Sequence, residues 1–596
     1  MADPTIALLS GAPVSGLATR KAGPLVRLAA MSAIALLGLH GAAFAEAKAE
    51  TPAVSTYPIS FSGSYLAARF ANKSRDFAEA ATYYADALKA DPQNAFLLDR
   101  AFTLKLANGE IPEAQKLAEQ LIGIDRNNLL ARLTLGTAAL KERSFVAARK
   151  HLSQTGRGPL PELTGKLLSA WALAGAGKTN EALELIDTLQ GPDWYAVYRA
   201  YHAGMILNLA NRSEEAAARI AAAYKADQGA LRIVQARARM LALAGEKDQA
   251  LDVIAQFEKG LPGHPLMDET KAVIAAGRVP PPMIGSAQAG AAEVLYGLGS
   301  ILGRDGGDEY PAAYLQLALH LDPKAELAMM GLSALFQQLG DHERTIEILS
   351  KIPETSPLKH RAEIEIGMNY NALDNIDQAR AHLSKLVETT PPDLDALTAL
   401  GTVLRSHDLF DEASKVYTRG IETLATPEEH HWPLYYHRGI TYERTGRWKL
   451  AEADFLKALE LFPDQPLVLN YLGYTWVDKG LNLDEALGMI QKAVELRPND
   501  GYFVDSLGWV YYRLGQYDKA VAELERAVEL RPEDPIINDH LGDAYWTIGR
   551  KLEATFQWSH ARDLKPDADA LAEIENKLKV GLNGKAPVPI VEKNGG

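Results

Sequence analysis

Cysteine is absent from all 596 residues. That one absence removes disulfides, thiolate catalysis, thiolate metal sites and a lipid-modified N-terminal cysteine together. Positive charge is in deficit as well. The 62 Lys and Arg against 76 Asp and Glu give a formal net charge of −14, which argues against general nucleic-acid binding. Recognised catalytic spacings are also missing: there is no His-Glu-x-x-His run and no Gly-x-Ser-x-Gly elbow. Gly297-Leu-Gly-Ser-Ile-Leu-Gly303 has the wrong spacing for a phosphate loop and follows no strand. His430, His431 and His437 lie in or beside a loop without fixed carboxylate partners, the pattern of a solvated loop more than of a metal site. No catalytic residue, metal or cofactor is expected, and the chain does not read as an enzyme.

What is present is repetition. Leu472-Gly473 returns as Leu507-Gly508 and Leu541-Gly542, and Trp476 returns as Tyr511 and Tyr545. Ala486, Ala520 and Ala554 follow, then Ala493, Ala527 and Ala561, and each copy closes on Pro498, Pro532 or Pro566. Between the last two copies every step is 34 residues, the tetratricopeptide repeat (TPR) period. A small residue at 508 lets two helices cross closely, and Gly515 supplies the left-handed backbone of a helix end. Ala520, Leu524 and Ala527 then make one apolar face of a second helix, which Pro532 stops. One such hairpin cannot bury its own core, so neighbours must stack.

The period predicts an all-α fold, a right-handed superhelical solenoid of about fourteen TPR helix-turn-helix repeats in two halves. Residues 1–45 read as a secretory signal peptide. Arg20, Lys21 and Arg27 precede the apolar run Leu28–Leu39, which is too short to span a bilayer, and Ala43-Phe-Ala45 fits the cleavage site. Residues 46–60 follow as a flexible leader. An N-terminal array over 61–264 is phased by Ala80, Ala114, Ala148, Ala182, Ala216 and Ala250. Three consecutive prolines make 265–291 a break or hinge. A second array covers 292–566, with four extra residues near Thr426–His431. A capping helix at 567–580 and a disordered tail at 581–596 complete the chain. The mature protein is expected to be periplasmic or secreted, without an integral span and, lacking Cys, not a lipoprotein.

The TPR resemblance implies that the first helix of each repeat lines a protein-binding groove. Carried onto the last repeats, the lining residues are Asn470, Tyr474, Tyr502, Asp505, Trp509, Tyr512 and Trp546. Val477, Asp539 and Asp543 fall at further lining positions. Aromatic rings with interleaved Asn and Asp suit an extended peptide, whose backbone the amides and acids can pair. The basic clamp of carboxylate-binding TPR domains is not present, since Asp505 and Asp543 are acidic where that clamp is basic. The stretch Leu469-Asn-Tyr-Leu-Gly-Tyr-Thr-Trp-Val-Asp-Lys-Gly480, with Asp505-Ser-Leu-Gly-Trp-Val-Tyr-Tyr-Arg513, resembles exported bacterial TPR adaptors of carboxyl-terminal processing proteases. That resemblance implies a non-enzymatic envelope adaptor that presents cell-wall hydrolases to such a protease. The missing lipidation cysteine departs from the family. The alternative is a structural component of an envelope secretion or polysaccharide-assembly machine.

Overall fold

The structure, a computed structural model, describes residues 60–302, 308–389 and 393–582. The expected signal peptide, most of the leader and most of the tail lie outside the described residues. Within them the chain is all α: thirty α-helices and one 3₁₀ turn at Glu429–His431. None of these helices is long and apolar enough to cross a membrane. Thirty helices make about fifteen pairs against the fourteen expected. The two helices outside fourteen pairs are Pro265–Ala275, inside the expected break, and the last helix, Ala568–Val580.

The backbone repeats as the sequence does. Arg75, Gly109, Arg143, Gly177, Asn211 and Gly245 all have positive φ, at strict 34-residue steps, and each closes the turn between a first and a second helix. Gly340, Asp374 and Asp408 take up the same step again in a new phase. Gly446 comes 38 residues after Asp408, the four-residue insertion, and Gly480, Gly515 and Gly549 follow. The six phasing alanines from Ala80 to Ala250 are all completely buried. At the helix-crossing glycine of several first helices, the residue sixteen further on fills the space. Leu152 faces Gly136, Ile220 faces Gly204, Leu524 faces Gly508 and Trp558 faces Gly542. Some helix starts are capped by side chains, as where Asp534 accepts from the amides of Ile536 and Ile537 just before Pro535.

The chain forms two compact units, residues 60–379 and 380–582 among those described. The stretch 265–291, expected as a break or hinge, lies within the first of these units. That stretch holds a helix, Pro265–Ala275, and then the prolines, but the boundary between the units does not fall there. Beyond it the chain turns back. The hairpin α14 (Ala287–Leu302) and α15 (Glu309–Leu321) packs on the first helices of four earlier repeats. Those are α3 (Ala95–Ala107), α5 (Leu129–Lys141), α7 (Pro159–Gly175) and α9 (Tyr195–Leu209). Among its described residues only Tyr310 is exposed. The cause is composition: α14 carries one charged residue, Glu293, and a helix apolar all round must be buried on every side.

In the second unit the helices pack chiefly on neighbours one or two along the chain. Its first helices used below are α24 (Pro466–Lys479), α26 (Gly501–Arg513) and α28 (Pro535–Thr547). The last helix, α30 (Ala568–Val580), packs on α29 (Lys551–Asp563).

Candidate protein-binding groove

The first helices are the ones expected to line a groove, and in the first unit the hairpin α14–α15 occupies that face. Trp171 on α7 precedes its phasing alanine, Ala182, by eleven residues, as Trp509 precedes Ala520. It is fully buried, and its ring fills the space where Gly290 of α14 lacks a side chain. Tyr201, in the register position of Asp505, donates its hydroxyl to Glu293 Oε1 at 2.9 Å. Arg232 grips the same carboxylate with Nε at 2.7 Å and Nη2 at 2.9 Å. Burial alone would raise the Glu293 pKa, but the Arg232 charge outweighs it and holds the acid below its ordinary value. Further along, Arg100 pairs with Glu309 at 2.6 Å, Lys141 donates to the His320 carbonyl at 2.6 Å, and Thr164 meets the Tyr314 hydroxyl at 3.2 Å. Apolar fit and paired charge together make this a built-in filling of the groove.

The second unit holds all the residues predicted from the sequence as groove lining. Trp509 is half-buried and stacks on His540, ring centres 4.0 Å apart and planes 18° apart. His540 Nδ1 lies 2.9 and 3.1 Å from the two carboxylate oxygens of Asp505. Burial depresses the imidazole, but Asp505, with Asp539 and Asp543 behind it, more than offsets that and raises its pKa. Tyr474 is half-buried, and burial with the charges of Asp505 and Asp478 pushes its phenol up to about 12. One turn before it, Asn470 has a buried Oδ1 with no hydrogen-bond partner among the described residues. An acceptor in that state costs free energy until a donor reaches it.

The remaining predicted residues are held differently. Tyr502 is 38% exposed under the Arg531 guanidinium, 4.8 Å from its ring centre. Trp546 is half-buried, beside Trp558 and over Gly581. Tyr512 is completely buried, its hydroxyl 3.1 Å from Thr547 Oγ1 on the next first helix, so its ring packs repeats together and offers no surface to a ligand. Asp539 and Asp543, also at lining positions, are both taken by Lys577 of α30, at 2.7 and 2.9 Å. Burial raises the Asp543 pKa to about 6 despite that lysine. Asp543 Oδ1 also accepts from the indole of Trp558 at 3.0 Å.

Two contributors were not singled out in the sequence. His540 sits one place beyond a lining position, and only its stacking on Trp509 brings it into the wall. Lys577 belongs to the capping helix, where a lysine ordinarily faces water. The three loop histidines do not converge: His437 stacks on Tyr417, while His430 is largely exposed at the 3₁₀ turn.

Comparison with known proteins agrees on the repeat. Residues 508–549 match the TPR repeat family, and residues 432–465 match the tetratricopeptide repeat family. A TPR repeat-containing protein of Pseudomonas aeruginosa is 30% identical over 142 residues, 24% of this chain and 23% of that protein. The match therefore spans under a quarter of the curated relative's length. Among solved structures, the APC/C hetero-tetramer Cut9-Hcn1 shares 16% identity at a TM-score of 0.37, over 88% of this chain and 96% of that one. A tetratricopeptide repeat protein from Parabacteroides merdae shares 18% identity at a TM-score of 0.35, over 43% of this chain and 98% of the other. YrrB, a TPR protein with an unusual peptide-binding site, shares 22% identity at a TM-score of 0.26, over 33% and 97%.

Proposed function

We propose that this TPR repeat protein is a non-catalytic scaffold of the cell envelope, which holds an extended segment of a partner protein along the inner wall of its second unit. The observation that carries the reading is the half-open strip of Asn470, Tyr474, Trp509 and His540. It offers stacked rings, an acid paired to an imidazole and one buried acceptor still without a donor. Rings supply contact area at small entropic cost, and the Asn470 oxygen would accept a backbone N–H from an extended peptide. The first unit, its groove filled by α14–α15, serves in this reading as a rigid body and not as a second peptide site.

The envelope setting rests on the signal-like start, with Arg20, Lys21 and Arg27 before the apolar run and Ala45 at the cleavage site. The adaptor role rests on the resemblance carried by residues 469–480 and 505–513. In it, the scaffold presents cell-wall hydrolases to a carboxyl-terminal processing protease from the periplasm. The test is affinity capture from envelope extract with the mature chain and its Trp509→Ala variant side by side. A processing protease and hydrolases retained by the first and lost by the second, with client cleavage stimulated by the scaffold, would support the role. Secretion or polymer-export subunits in their place would assign the protein to an assembly machine instead.

A further inference from the structure

Near the start of the second unit, one inner-wall cation has no acid of its own. There α20 (Leu394–Ser406) and α21 (Phe410–Glu422) make one repeat, and α22 (Trp432–Arg444) opens the next. Arg405 stands four residues beyond Gly401, as Val477, Tyr512 and Trp546 stand four beyond Gly473, Gly508 and Gly542, so it holds a lining position. It is partly exposed, but its Nε is buried and has no acceptor among the described residues. Nor does it form an ion pair with any of them within 4.0 Å. Glu443, at the same position on α22, accepts instead from the Tyr471 hydroxyl at 3.3 Å. The acids further along the wall are taken within the fold. Asp478 is held by Arg513 at 3.0 Å, Asp505 by His540, and Asp539 and Asp543 by Lys577.

Rings surround this cation. Tyr417 of α21 stacks on His437 of α22, ring centres 5.9 Å apart, and the Tyr436 ring lies 5.2 Å from His437. Burial raises the phenols of Tyr417 and Tyr436 and depresses His437 to about 3. The Arg405 charge opposes the first two shifts and adds to the third. His437 is therefore neutral at pH 7, and its Nδ1 is also buried without a partner. The site thus carries the single charge of Arg405 and supplies nothing to neutralise it. A cation partly withdrawn from water is costly until an anion reaches it, and a guanidinium matches the two oxygens of a carboxylate.

The site adjoins the groove. The Tyr436 ring lies 5.9 Å from that of Tyr471 on α24, the helix that carries Asn470 and Tyr474. Two steps between packed helices, at roughly 8–10 Å each, lead from α20 to α24. An extended chain at roughly 3.3 Å per residue crosses that distance in about five or six residues.

We infer that Arg405 is an anion subsite at one end of the groove, and that the partner segment carries an Asp or Glu side chain about five or six residues from the residue that meets Asn470. This rests on the groove proposed above and specifies what the bound segment contains. An acidic side chain suits the site better than a chain end, because Arg405 stands alone where carboxylate-binding TPR domains set a basic clamp.

The probe is a phage-displayed library of random peptides long enough to span both subsites, selected on the full chain and counter-selected on its Trp509→Ala variant. Peptides that need Trp509 are expected to carry Asp or Glu at the stated spacing. Such a peptide, synthesised with an amidated C-terminus, should bind the Arg405→Gln variant about tenfold more weakly, or worse. Replacing its acid by the matching amide should cost the same factor on the unaltered chain and nothing further on Arg405→Gln. Should Arg405→Gln fail to fold, the acid, amide and lysine forms of the peptide still test the site on the unaltered chain, where the lysine form should bind weakest. Trp509-dependent peptides without an acid, or equal binding of the acid and amide forms, would overturn the subsite and leave the groove standing. Binding that survives only with a free terminal carboxylate would overturn the assignment to a side chain. A selection with no Trp509-dependent peptide would overturn the groove and the subsite with it.

Discussion

Arg232 and Glu293 form a bidentate ion pair, 2.7 and 2.9 Å, between an inner-wall helix of the first unit and the hairpin that fills its groove. Their side chains are 20% and 13% exposed, and the Tyr201 hydroxyl supplies a third donor to the carboxylate. Two charges taken out of water together are tolerable, but either one left alone is not.

Glu293→Ala is therefore expected to destabilise the first unit by about 3–5 kcal/mol, since it strands a buried guanidinium. Replacing both partners, Arg232→Met with Glu293→Leu, should restore most of that stability. Denaturant unfolding of the three variants measures it. Equal losses in the single and double variants would mean that the pair does not hold the hairpin.

Gly508→Leu tests the repeat register. A Cβ at 508 would lie 2.6 Å from Leu524 Cγ and 3.1 Å from the Leu524 backbone nitrogen, which cannot rotate away. Overpacking of this kind costs about 1–3 kcal/mol. Gly488 has nothing within 4 Å of a Cβ, and Gly488→Ala should be neutral or slightly stabilising in the middle of its helix. Thermal melts of the two variants should diverge, and matching melts would contradict the packing.

Much of this architecture was readable from one period. The alanines, the turn residues and the four-residue insertion all fall where a 34-residue repeat puts them, because each has a local cause in close helix crossing or a left-handed turn. The return of α14–α15 into the first groove was not readable that way. Gly299, Ala318 and Pro323 keep the repeat pattern, so local chemistry is the same whether the hairpin stacks forward or folds back. What distinguishes the two is the lack of any solvent face on residues 287–302. At the site, Trp509 and Tyr512 looked alike as lining residues. Only the next first helix, through Thr547, decides that Tyr512 belongs to the core.

Trp509→Ala and Trp558→Ala should behave oppositely. Trp509 is half-buried with one face on His540, so truncation is expected to cost about 1–2 kcal/mol of stability while lowering partner affinity at least tenfold. Trp558 is fully buried against Gly542 and Asp543, and its truncation should cost about 3–5 kcal/mol. Titration calorimetry with the captured partner and denaturant unfolding give both numbers for each variant. A Trp509 variant that loses stability and keeps affinity would make its ring a packing residue.

Acid should weaken the first unit before it weakens most surface contacts. Burial depresses His202, His264 and His320 to about 4 each, with Arg361 adding to the effect at His264 and Lys141 at His320, while Glu293 opposes it at His202. A histidine whose native pKa lies below the unfolded value of about 6.5 binds its proton only on unfolding. Its contribution to stability is complete above that value and is lost as pH falls toward 4. His151, lowered by burial and by the Arg132 charge, adds to these three, so unfolding of this unit takes up several protons near pH 5. In the second unit His437 behaves alike, depressed to about 3, but His540 is raised and favours the native state at low pH. Hydrogen exchange followed by mass spectrometry from pH 7.5 to 4.5 should show helices of residues 60–379 losing protection first. His202→Gln should flatten that decline by removing one of those protons. A first unit whose protection holds constant across this range would mean that these imidazoles titrate as they do in water.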